Sequence, residues 1–129
     1  MTAMQEGLAS TLERTVTEAD TARALGSGDL PVLGTPRLLA WLEAATCAAV
    51  ANSLEPGRTT VGVRVDVRHR AASPVGAVVT ARATVTSVDG DTIVFRVDAT
   101  DPQSGRVLGQ GEITRAVVDR ERFLARVSG

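Results

Sequence analysis

Three residues at fixed spacings carry the side chains in this sequence best suited to chemistry: Thr35, Glu43 and His69, at intervals of 8 and 26 residues. His69 is the only histidine, and an imidazole is the side chain that exchanges a proton near neutral pH, so it suits a general acid or base. Glu43 is the only charged residue between Leu38 and Leu54. An ionised carboxylate among leucine, alanine, Trp41, Cys47 and Val50 is too costly without a partner, so it needs a cation, a hydrogen-bond donor or a wet cavity. Thr35 offers a hydroxyl, either as a nucleophile or as a donor to a carbonyl. Each residue also has a plainer reading. Thr35 can cap a helix before Pro36, Glu43 can reach solvent or an arginine from a helix rim, and His69 can be a satisfied core histidine. A carboxylate and an imidazole converging between helix and sheet are the parts of an acid/base site.

The elements that must position them are legible from periodicity. Gly34-Thr35-Pro36 opens the only long helix, with proline in the first turn where its missing N–H is not needed and Thr35 as the capping residue. The helix is expected to run to about Leu54 and to stop at Glu55-Pro56-Gly57. Being apolar almost all round, it is expected to be buried. Eight steps of ideal helix separate Thr35 from Glu43 by about 12 Å along the axis. Either the chain bends back at Gly34-Thr35, or the two residues flank an extended substrate, or a second subunit supplies one of them.

From Thr59 the period changes to two, the signature of strands. Val61, Val63, Val65 and Val67 are read on one face, with His69 continuing their register, and Arg64, Asp66 and Arg68 on the other. Ser73-Pro74-Val75-Gly76 turns the chain into Ala77 to Val88, where Val79, Ala81, Ala83 and Val85 alternate with Thr80, Arg82, Thr84 and Thr86. Asp89-Gly90 is a tight hairpin turn, followed by a strand that sets Ile93, Phe95, Val97 and Ala99 on one side. A turn at Asp101 to Gly105 leads into Val107 to Val118, and a last short helix, Asp119 to Val127, is expected to dock through Phe123, Leu124 and Val127. Leu8 to Thr17 reads as a first, edge-type strand, and Glu18 to Leu25 as a helical turn ended by Gly26-Ser27-Gly28. Strands with one apolar face need a cover, and the long helix is the only candidate large enough. The expected architecture is therefore α+β, a curved antiparallel sheet of about five strands wrapped around one long central helix, forming a single domain over residues 1–129.

Composition narrows the function. The 129 residues carry 14 basic and 15 acidic side chains, a net charge of −1, with two Phe, one Trp and no Tyr. A near-neutral chain with so few stacking rings is not expected to bind nucleic acid. One Cys and one His are too few for an internal disulfide or a zinc site. Neither a basic n-region nor an apolar h-region is visible near Met1, and the longest uncharged runs are 11 residues, Ala44 to Leu54 and Ala71 to Ala81. The expectation is no signal peptide, no membrane span and a cytoplasmic location.

The stretches Gly34-Thr35, Trp41-Leu42-Glu43-Ala44, Leu54-Glu55-Pro56-Gly57, Val61-Gly62 and Val67 through Gly76 resemble the fluoroacetyl-CoA thioesterase-like family of hotdog-fold acyl-CoA thioesterases. The similarity continues through Ser87-Val88-Asp89-Gly90, Phe95-Arg96-Val97 and Arg115 through Val118 to Phe123. The resemblance implies a hotdog fold and a homodimer, or a higher homo-oligomer, whose sheets join with the active site at the interface. It further implies hydrolysis of a small or medium acyl-CoA thioester without metal or cofactor. It matches Thr35, Glu43 and His69 to the family's catalytic threonine, glutamate and histidine, with either Thr35 or Glu43 as the nucleophile, Glu43 otherwise the base for water and His69 the proton shuttle, and Gly62 to a glycine whose backbone N–H lies near the reacting group. Arg64 and Arg68, with Arg70, either carry forked donors for the phosphates of CoA or simply form a solvated strand face. The fluoroacetyl specialist carries phenylalanines before its threonine that form a lid over the acyl group, whereas Gly26 to Gly34 here contains no aromatic residue, so the acyl group is left open. The alternatives are a non-catalytic hotdog module that binds acyl-CoA or a hydrophobic metabolite, and a hydratase on the same fold. A cone-shaped fold of the ketosteroid isomerase type needs more helix ahead of the sheet than residues 1 to 57 offer.

Overall fold

Alternating strands and one long helix build the expected sheet-around-helix arrangement in a computed structural model that describes residues 2–129. In chain order the elements are β1 (Ala9–Thr15), a 3-10 turn (Glu18–Asp20), α1 (Ala22–Leu25), α2 (Thr35–Val50), β2 (Arg58–His69), β3 (Val78–Asp89), β4 (Thr92–Thr100), β5 (Val107–Asp119) and α3 (Arg120–Ser128). The strands form one antiparallel sheet in the order β1-β3-β4-β5-β2, so β1 and β2 are its edges. No helix among the described residues is long and apolar enough to cross a membrane.

The core lies between α2 and the middle of the sheet. Leu38, Trp41, Leu42, Ala45, Ala49 and Val50 on the helix are buried together with Val79, Ala81, Ala83 and Val85 of β3 and Ile93, Phe95, Val97 and Ala99 of β4. These are the inward positions read from the alternation. Alanine at 81, 83 and 99 lets the helix approach the strands closely, and Phe95, fully buried, is the largest of the fully buried side chains.

Four expectations are corrected. The helix cap is Gly34, not Thr35, which is the first helical residue and makes no capping hydrogen bond. The regular helix ends at Val50, and a 3-10 turn, Ala51–Ser53, carries the chain to Leu54. One face of α2 is open, because Ala40, Cys47 and Ala48 are exposed. Of the three docking residues expected on α3, only Phe123 is partly buried, whereas Leu124 and Val127 are exposed.

The most consequential difference lies in β2. The register with β5 shifts between Gly62 and Arg64: Gly62 pairs with Arg115, and Arg64 with Thr114. Val63 is therefore the extra residue of a β-bulge, which reverses the alternation that a regular strand would keep. After the bulge Val65, Val67 and His69 keep the inner face, opposite Ile113, Gly111 and Gly109. Before it, Gly62 takes the inner face opposite Arg115, and Val61, expected inside, faces out with Ala116. Val63 and Val65 are 59% and 40% exposed, because β2 is an edge strand that α2 does not fully cover.

Candidate active site

Position 35 is where the chain turns from an extended loop into α2. Gly34 has extended dihedrals and donates its N–H to the Asp20 carbonyl, and the proline after Thr35 occupies the first turn. Having no capping duty, the Thr35 hydroxyl is free to face the end of β2, where Oγ1 lies 2.8 Å from His69 Nδ1. His69 is the last residue of that strand and is half-buried. Its burial holds the imidazole pKa below the ordinary 6.5, against a smaller opposing effect of a hydrogen bond with the Ala71 backbone. The ring is thus neutral at physiological pH, and Nδ1 can accept the Thr35 proton. Its Nε2 is buried and has no hydrogen-bond partner among the described residues.

Glu43 stands two turns further along α2 in different company. Its Oε2 accepts a hydrogen bond from Arg115 Nη1 at 3.0 Å. Arg115 is only 6% exposed. Its remaining donors are fixed on β2, with Nε donating to Thr60 Oγ1 at 2.9 Å and Nη2 to the Thr60 carbonyl at 3.1 Å. A buried guanidinium satisfied on three sides and facing a carboxylate is a rigid support, because removing either charge strands the other. The carboxylate rests against Gly62: a Cβ there would lie 2.7 Å from Glu43 Oε2, so only glycine leaves the carboxylate in place.

The structure therefore brings the candidates together in two groups. Thr35 with His69 forms one, and Glu43 with Gly62 the other. The expected convergence of Glu43 with His69 does not occur within one chain. No hydrogen bond among the described residues joins the groups, and seven residues of strand, about 23 Å if fully extended, separate Gly62 from His69. Arg64 and Arg68 lie on the outer face of β2 in a shallow recess with Asp66, Gln110 and Glu112, and Arg64 is 3.7 Å from Asp66. They do not touch either group. Arg115 is the partner of Glu43 that spacing did not reveal. Its signal was an arginine in the inward register of β5, two residues after buried Ile113.

A cleft of about 320 Å³ adjoins the first group, with Thr35 and His69 in its wall. The rest of the wall comes from the segment before α2 and from residues 70–72 after β2.

Comparison with known proteins identifies the fold and the family. The sequence pattern of the family described as fluoroacetyl-CoA-specific thioesterase, FlK, matches residues 16–121. A fluoroacetyl-CoA thioesterase of Streptantibioticus cattleyicolor is 38% identical over 96 residues, covering 74% of this chain and 68% of that protein. A solved structure of the fluoroacetyl-CoA thioesterase FlK superposes with a TM-score of 0.90 at 33% identity, covering 98% of this chain and 97% of the other. A hot-dog-like protein from Thermanaerovibrio acidaminovorans superposes with a TM-score of 0.84 at 25% identity, over 95% and 89% of the two chains. The fold is the hotdog, and the chain belongs to the fluoroacetyl-CoA-specific thioesterase family.

Proposed function

We propose that the chain hydrolyses an acyl-CoA thioester at sites shared between two copies of itself. The observation that carries this reading is the 2.8 Å contact between the Thr35 hydroxyl and a neutral, half-buried His69. It is the arrangement that activates a hydroxyl nucleophile. Thr35 Oγ1 attacks the thioester carbonyl as His69 takes its proton. The C–S bond then breaks and the imidazolium returns that proton to the leaving thiolate. Water, deprotonated in its turn, releases the acid from the acyl-threonine. Charge builds on the carbonyl oxygen in both steps, and the Gly62 amide is the donor we assign to it. Glu43 is assigned to the imidazolium and the attacking water.

Sharing between copies follows from the edge of β2. Its unpaired backbone and exposed Val63 and Val65 offer a surface for a second strand. Antiparallel pairing of two β2 strands about Asp66 sets Val65 opposite Val67 of the second copy, with inner faces aligned. The bulge at Val63 then brings Gly62 opposite His69 of the second copy. Each Thr35–His69 pair thereby meets the Glu43–Gly62–Arg115 group that its own chain holds too far away, and the symmetry makes two equal sites in a homodimer. Arg64 and Arg68, exposed on the same strand, are assigned to the CoA phosphates. A cytoplasmic setting suits the exposed free thiol of Cys47.

The test is release of CoA thiol from a panel of acyl-CoA thioesters. The expected result is turnover that Thr35→Ala and His69→Ala each reduce by about 10²–10⁴-fold. Absence of turnover across the panel, or full activity in both variants, contradicts the assignment.

A further inference from the structure

We propose that the cleft beside Thr35 and His69 receives the acyl chain, and that it fits an apolar chain of about four to eight carbons better than a two-carbon acyl group. This rests on the thioesterase reading above and specifies its substrate. The cleft measures about 320 Å³. A methylene takes up about as much space as a water molecule, about 30 Å³, so a two-carbon acyl group leaves most of that volume unused.

The lining decides what fills it. Its apolar side chains are Ala22, Leu30, Val32, Leu33, Ala71 and Ala72, and the polar Ser27, Asp29 and Arg70 are all exposed. Several backbone groups in and beside the wall are already engaged. Ala22 N–H donates to the Val32 carbonyl, Arg23 N–H to Leu30, Ser27 N–H to Ala22 and Leu33 N–H to the carbonyl of buried Ser73. Two consequences follow. The side chains of Ala22, Leu30, Val32, Leu33, Ala71 and Ala72 give alkyl groups an apolar wall to lie against. The segment is also pinned to itself and to the loop after β2, so the cleft is a standing feature rather than a gap that closes on a small acyl group.

The experiment measures kcat/KM for straight-chain acyl-CoA thioesters from two to ten carbons, on the native protein and on Ala72→Leu, whose exposed position on the cleft wall lets the added bulk enter the cleft. Burial of each methylene raises kcat/KM about threefold to fourfold, so hexanoyl-CoA is expected to exceed acetyl-CoA on the order of a hundredfold. The maximum falls between four and eight carbons, and Ala72→Leu lowers the hexanoyl-to-acetyl ratio about tenfold. Acetyl-CoA hydrolysed as efficiently as hexanoyl-CoA overturns the inference and leaves the thioesterase reading standing. An unchanged ratio in Ala72→Leu also overturns it, by removing the chain from this cleft. Turnover of no thioester of any length overturns both readings.

Discussion

At the scale of the residue, the site depends on two contacts that share no atom. His69 is held neutral by its burial, so its basic form survives below the ordinary pKa of 6.5. Because the pKa in the folded chain is lowered, both activity and the imidazole's contribution to stability are present above pH 6.5 and are lost as pH falls through the lowered value. The pH profile of kcat/KM is therefore expected to have its acid half-point below 6.5, and a half-point above it contradicts a buried neutral base. The second contact is the fit of Glu43 against Gly62. A methyl group at position 62 would lie 2.7 Å from Glu43 Oε2 and push the carboxylate off Arg115. Gly62→Ala is expected to lower kcat at least about tenfold and, because displacing Glu43 strands the buried Arg115, to lower the urea midpoint as well. A midpoint shift with kcat intact would mean that the glycine serves the fold instead.

Among the elements, those with clean periodicity were legible from the residues, and those with a break were not. The inward rows of β3 and β4 were readable because every second residue is apolar, and the core formed there as expected. Phe95→Ala in that row is expected to cost about 3–5 kcal/mol, measured by urea unfolding. A loss under about 1 kcal/mol would mean the core does not close on that ring. The bulge in β2 was not legible, since Val61 through Val67 keeps a perfect alternation on paper. The extra residue becomes visible only from the pairing with β5. That break carries Gly62 to the inner face, so the part of the strand that defied the pattern serves the site. Arg115 was hidden for a related reason. A buried arginine has meaning only once its partners on α2 and β2 are seen, and those lie 72 and 55 residues away. Thr35 was misread as a cap because its hydroxyl, adequate for that task, is engaged by His69 across 34 residues.

At the scale of the whole molecule, a single chain holds two separated groups of candidate residues and, in β2, an edge strand with exposed valines. The exposed valines of β2 are the feature that pairing of two copies explains. Val65→Lys is expected to leave the far-ultraviolet circular dichroism unchanged, to yield a monomer by light scattering and to abolish thiol release together with dimerisation. An active monomer contradicts the shared site. The most direct measurement uses two inactive variants, Thr35→Ala and Glu43→Gln, mixed in equal amounts under conditions that exchange subunits. In a mixed dimer with shared sites, one site receives both substitutions and the other receives neither. Half the dimers are mixed and each has one intact site, so the mixture should recover roughly a quarter of the native thiol-release rate. If each site is built within one chain, every site carries a lesion and the mixture stays as inactive as its components, which would contradict the proposed arrangement.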